Sequence, residues 1–152
     1  VADAFKAAQR LVDIATEDAK AAAEIRDEKE QDELAQAYGK GATGRGMASG
    51  GSKALKELEK EQKTRTTRMV RDSLDAALLD IATLFRDIMM VQSGHIDALI
   101  NLEMAQEINA IANVVPPHKT IQRLDAVMKA RKALGFNAAP LLTMEALMCE
   151  LV

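Results

Sequence analysis

Apolar residues recur at helical spacing along most of the chain, and the pattern is cut into stretches by Gly and Pro. From Asp3 to Ala37 neither breaker occurs. Phe5, Ala8, Leu11, Val12, Ile14, Ala15, Ala19, Ala22 and Ile25 follow a helical period before the pattern fades into the acidic run EIRDEKEQDE. A second unbroken stretch runs from Ser52, the expected N-cap, to Gln92. Within it Val70, Leu74, Ala77, Ile81, Leu84, Ile88 and Val91 step by four and three residues in turn, which is a heptad seam. Leu78, Leu79, Phe85, Met89 and Met90 widen the apolar surface beyond what one neighbour covers, so this helix is expected to be gripped on two sides.

After Gly94 the punctuation tightens. Leu102, Met104, Ile108, Ile111 and Val115 predict a helix with Asn101 as its cap. The next helix opens at Pro117 and closes at Gly135, with Ile121, Leu124, Met128, Ala130 and Leu134 as its face. The last, NAAPLLTMEALMCELV, is apolar nearly all round apart from Thr143, Glu145 and Glu150, which predicts a central helix buried on most sides. Cys149 sits in that run and is expected to pack in the core as a small hydrophobe. Five helices, no convincing strand and no internal repeat give an all-α fold. It reads as a single domain over 1–152, with a compact core of 68–152 joined by 3–23.

Length permits one good core, because a chain of 152 residues buries about 70% of the surface its unfolded form exposes. The chain starts at Val1 without Met or a signal-like segment and has no apolar run long enough to span a bilayer. That reads as an excised piece of a longer cytoplasmic protein with no membrane partner. A net charge of -3 gives no bulk attraction to polyanions. With one Tyr, three Phe and no Trp there is no platform for stacking single-stranded bases. Locally the charge is polarised. Glu24 to Glu33 carries six acids and two bases, whereas Lys53, Lys56, Lys60, Lys63, Arg65, Arg68 and Arg71 face only Glu57, Glu59 and Glu61. An acidic helix end, a Gly-rich connector over 39–51 and a basic helix start predict an antiparallel hairpin arm whose two sides complement each other. Leu34, Leu55 and Leu58 are a thin seam for it, so its tip is expected to be mobile.

The connector offers two phosphate-loop signatures. Gly39, Gly41 and Gly44 match G-x-G-x-x-G, and Gly46 to Lys53 is a Walker-like loop with its last two residues transposed. Both need a strand feeding the loop, and a charged helix feeds it here. It therefore reads as a linker, with no cofactor and no small-molecule substrate. His95 and His118 lack partners at metal-ligand spacing, and Ser73, Thr143 and Cys149 have no discernible base. No catalytic or metal constellation is legible. Two candidate surfaces remain: phosphate contacts at Lys53, Lys56, Lys60, Lys63 and Arg68, and an apolar subunit interface at Leu79, Met89, Met90, Leu141, Leu142, Met144 and Met148.

At KELEKEQKTRTTRMVRDSLDAALLDIATLFRD (56–87) and RLDAVMKARKALGFNAAPLLTMEALMCEL (123–151) the chain resembles the C-terminal region of the delta-prime subunits of the bacterial DNA polymerase III clamp loader. The resemblance covers nearly the whole chain. It implies a helical collar domain that joins the other loader subunits in a heteropentamer, which places the sliding clamp on primed DNA. It implies no catalysis by this domain, since the nucleotide-binding-like module, zinc ribbon and arginine finger of such subunits lie upstream. The arm from Glu24 to about Thr67 exceeds what a compact collar needs.

Overall fold

The computed structural model describes residues 2–39 and 50–151. Among these, the chain is helical and has no strand. Helix α1 is Ala2–Ala37 and α2 is Gly51–Gln92, followed by α3 (Ala105–Val114), α4 (Pro117–Gly135) and α5 (Pro140–Leu151). Most of the Gly-rich linker expected over 39–51 falls on residues 40–49, outside the described residues.

Helix ends follow local chemistry. α2 begins at Gly51, so Ser52 lies inside the helix instead of capping it. Gly50, at φ 93, makes the preceding turn and its carbonyl accepts from Ala54 N–H at 3.0 Å. α2 ends where Gly94 adopts φ 82, with His95 N–H donating to Met90 O (2.8 Å) and Gly94 N–H to Val91 O (3.0 Å). That is a Schellman ending, which requires a left-handed residue. α4 ends the same way with Asn137 at φ 64 in the glycine's place, Ala138 N–H donating to Ala133 O and Asn137 N–H to Leu134 O, both at 3.0 Å. Pro116 and Pro117 start α4 from an extended N-cap. Between Gly94 and α3 the chain makes two single 3-10 turns, Ile96–Ala98 and Leu102–Met104. The helix expected to start at Asn101 therefore starts at Ala105. The Asn101 side chain caps nothing, because it donates to Asp87.

Contacts divide the chain into two compact units, Val1–Val12 with Ser73–Val152, and Asp13–Asp72. The core of the first contains Leu74, Leu78, Ile88, Ile108, Val127, Met144 and Leu147. The seam of α2 is less regular than its heptads suggest. Val70, Leu74, Leu78, Ala82 and Ile88 are buried, while Ala77, Ile81, Leu84 and Val91 are half-buried.

Three packing expectations are corrected. On α1 the buried positions are alanines, Ala4, Ala8, Ala15, Ala19 and Ala23, while Phe5, Ile14 and Ile25 are exposed, Ile25 at 82%. Small side chains let the backbone approach its neighbour, which leaves the large ones on the outer face. α5 is buried on one side only. It packs on α4 through a face containing Thr143, Met144 and Leu147, and Leu142 is 67% exposed. Cys149 is likewise exposed and not part of the core. Apolar character all round a helix does not require that its own chain covers every face.

In the second unit the two helical segments run antiparallel. Gln31 Nε2–H donates to Gln62 Oε1 at 2.8 Å, and Gln62 Nε2–H donates to Asp27 O (2.9 Å) and Glu30 Oε2 (3.2 Å). Gln62 is buried, and its amide is satisfied from α1 on both atoms. Ala15, Ala19, Ala23, Gly51 and Val70 are also buried among the described residues of this unit.

Candidate interaction surfaces

Asp87 is the most deeply buried charged residue among those described, with none of its surface exposed. Its Oδ2 accepts from Ile100 N–H (3.0 Å), Asn101 N–H (2.8 Å) and Asn101 Nδ2 (2.8 Å), and its Oδ1 accepts from Arg86 Nη1 (2.7 Å). Arg86 also donates to Ala98 O. Burial pushes the Asp87 carboxyl up, but the donors from Asn101, Arg86 and Ile100 outweigh it and hold the group below its ordinary 3.8. One turn on, Gln92 Nε2–H donates to Val115 O (2.7 Å) and Ala112 O (3.4 Å), serving carbonyls at the end of α3. Three side chains of α2, Arg86, Asp87 and Gln92, thus clamp the segment between Ala98 and Val115 at both ends. Arg131 of α4 adds a two-pronged pair to Asp75, Nε–H at 2.9 Å and Nη2–H at 3.0 Å, and holds the Asp75 carboxyl below its ordinary range.

Ile108 of the clamped segment is buried, but other large apolar side chains in it and just before it are exposed. Ile96, Ile100, Leu102 and Val114 are all more than half exposed, Val114 at 82%. Sequence reasoning placed Leu102 on a buried helix face and passed over the others. The signal was an acid in the apolar run LFRDIMM, next to the seam residue Ile88. An Asp at such a position is buried only when several donors converge on it.

Of the expected apolar interface, Leu79 and Leu142 are exposed, while Met89, Met90, Leu141 and Met148 are half-buried. Met144 is fully buried and is withdrawn as an interface residue, because it fills the core of its own chain. Leu142 lies on the lip of an alanine-floored groove between α4 and α5, whose end is closed by the pair Lys129 Nζ to Glu150 Oε2 at 3.8 Å.

The basic stripe is less neutralised than complementary arms would make it. Arg65 crosses to α1, donating from Nη2 to Asp27 Oδ1 and Glu30 Oε2, both at 2.6 Å, and from Nη1 to Glu30 Oε1 at 3.1 Å. Hydrogen bonds from Arg65, then Gln62, lower the Glu30 carboxyl, and the same cluster raises Arg65. Lys53 pairs with Glu57 on its own helix at 3.9 Å. Lys56, Lys60, Lys63 and Arg68 are exposed and form no ion pair with a described residue.

No known protein family, characterised protein or solved structure matches the chain.

The remaining candidate chemistry is dispersed. α1, not a strand, leads towards the glycines, and His95 and His118 are both exposed at separate element starts. The Thr143 hydroxyl donates to Ala139 O at 3.0 Å. Among the described residues no group of three or more His, Cys, Asp or Glu could hold a metal ion. No described helix is long and apolar enough to cross a membrane.

Proposed function

We propose that the chain is the collar domain of a delta-prime-type clamp loader subunit, a non-catalytic cytoplasmic module. It joins the other loader subunits in the heteropentamer that places the sliding clamp on primed DNA. In this reading its helices form the collar bundle, and residues 24–67 form a charged helical hairpin arm. The observation that carries it is the set of large apolar side chains exposed on and just before the clamped backbone, Ile96, Ile100, Leu102 and Val114. Leu79 and Leu142 are exposed in the same unit. A surface with that many exposed large apolar residues fits a protein partner, and in a ring each face meets a different one next door. The segments that resemble delta-prime subunits fall on α2, α4 and α5, the helices that carry the Asp75 to Arg131 tie and the α4 to α5 packing.

The test is to mix the chain with the other loader subunits and measure complex mass by light scattering. A complex is expected, weakened at least tenfold, or about 1.4 kcal/mol, by Leu142→Glu or Ile100→Glu, with helicity unchanged. A chain that stays alone at tens of micromolar refutes the assignment.

A further inference from the structure

We infer that the outer face of α2 between Lys53 and Arg68 is a rail for the phosphate backbone of duplex nucleic acid. This goes beyond the assembly reading and stands whether or not the chain joins a loader. Three observations carry it.

The first is register. Lys53, Lys56, Lys60 and Lys63 are spaced three, four and three residues apart, so they line one side of a continuous helix, and Arg68, about 140° round the axis from Lys63, flanks that row on its other edge beside Lys60. At a rise of about 1.5 Å per residue the row spans roughly 22 Å, the axial length of about six base pairs.

The second is the absence of internal neutralisation among the described residues. An acidic helix segment lies alongside, and Arg65 engages it through Asp27 and Glu30. Lys56, Lys60, Lys63 and Arg68 are exposed and in no ion pair with a described residue. Four cations left solvated beside a plentiful source of carboxylates are available to an external polyanion.

The third is the relief around them. Lys60, Thr64 and Arg68 line one shallow hollow on this helix. Lys63 lines another with Lys20, Thr66 and Thr67. The threonine hydroxyls donate to carbonyls four residues back, so these positions are slim, neutral gaps between the cations. The carboxylates that line these hollows are Glu57, which is paired to Lys53, Glu61, and Asp27, which is paired to Arg65.

The occupant is a duplex and not a single strand because the rail carries no aromatic side chain on which an unpaired base could stack. It is not a bilayer, because Leu55 and Leu58, the apolar residues of this part of α2, are half-buried and do not flank the lysines with a free apolar face. Nothing on the rail reads base edges, so the contact is independent of sequence.

The experiment is fluorescence anisotropy of the whole chain with a labelled 30-base-pair duplex across a salt series. With four phosphate contacts the logarithm of affinity should fall against log salt with a slope of about -3.6. Lys60→Gln with Arg68→Gln should halve that slope and weaken binding about 60-fold at 0.1 M salt. Lys56→Gln with Lys63→Gln should do the same, whereas Glu24→Gln with Glu28→Gln on α1 should not weaken it. All the substituted side chains are exposed, and circular dichroism checks that helicity is kept. No duplex binding at 50 mM salt overturns the proposal, as does an unchanged slope in both double variants. Tighter binding to a single strand of equal length also overturns it, as does equal competition by polyglutamate or by phosphatidylserine vesicles.

Discussion

Replacing Asp87 tests the account of the α2 to α3 connection most directly. Asp87→Ala deprives two backbone N–H groups, one amide and one guanidinium of their shared acceptor. Deleting one partner from a fully buried charged cluster costs about 3 to 5 kcal/mol. Ile100 and the Arg86 side chain retain access to water, so the lower end, about 3 kcal/mol, is expected. With a urea dependence of about 2 kcal/mol per molar, the unfolding midpoint should drop by roughly 1.5 M. Hydrogen exchange should show the amides of Ile100 and Asn101 losing protection first, because they donate directly to the deleted carboxylate. The pH dependence carries a sign. Asp87 has a folded pKa below the unfolded one, so its contribution is present above the unfolded value and lost as pH falls through the folded value. The wild-type chain should therefore lose stability more steeply than Asp87→Asn below about pH 4. Asp75 and Glu30, also lowered, act equally in both chains. An Asp87→Ala chain that unfolds at the wild-type urea concentration with both amides still protected would refute the clamp.

Four further substitutions examine the helices and their ends. Met144→Ala empties a fully buried site and should cost about 3 kcal/mol in urea unfolding, whereas Leu142→Ala, on the open face, should stay within about 0.5 kcal/mol. Equal effects would mean that α5 is buried all round. Gly94→Ala meets no neighbouring atom, so its cost is the left-handed backbone alone, about 1 kcal/mol, which thermal unfolding should read as a fall of about 2 to 4 °C. Gly135→Ala also enters open space, but with no positive φ, and should raise the midpoint instead.

Helix limits were legible wherever Gly and Pro punctuate the chain. α1, α2 and α4 begin and end within a residue of where the breakers place them. Which face is buried was less legible, because side-chain size misleads when helices approach closely. Ile14 and Ile25 outrank alanine in hydrophobicity, yet Ala15, Ala19 and Ala23 occupy the contact. The expectation for α5 failed for a related reason, since periodicity records what a helix can bury and not what its own chain supplies to bury it. Asn101 is a good cap by type, but the buried Asp87 carboxylate near the end of α2 competes for its amide and wins. Charge runs do not disclose how few bonds join the segments around Asp27 and Arg65, where a single guanidinium serves two carboxylates.

The alanine contact on α1 has a consequence for how this protein can vary. Ala15, Ala19 and Ala23 bury little area each, so trimming any of them to glycine forfeits mainly helix propensity, about 1 kcal/mol. Enlarging one adds volume at a position that is already covered, which costs about 1 to 3 kcal/mol. Those positions are therefore under a one-sided restriction, free to shrink a little and barred from growing. Homologues should hold them at alanine, serine or glycine while the neighbouring Ile14 and Ile25 drift.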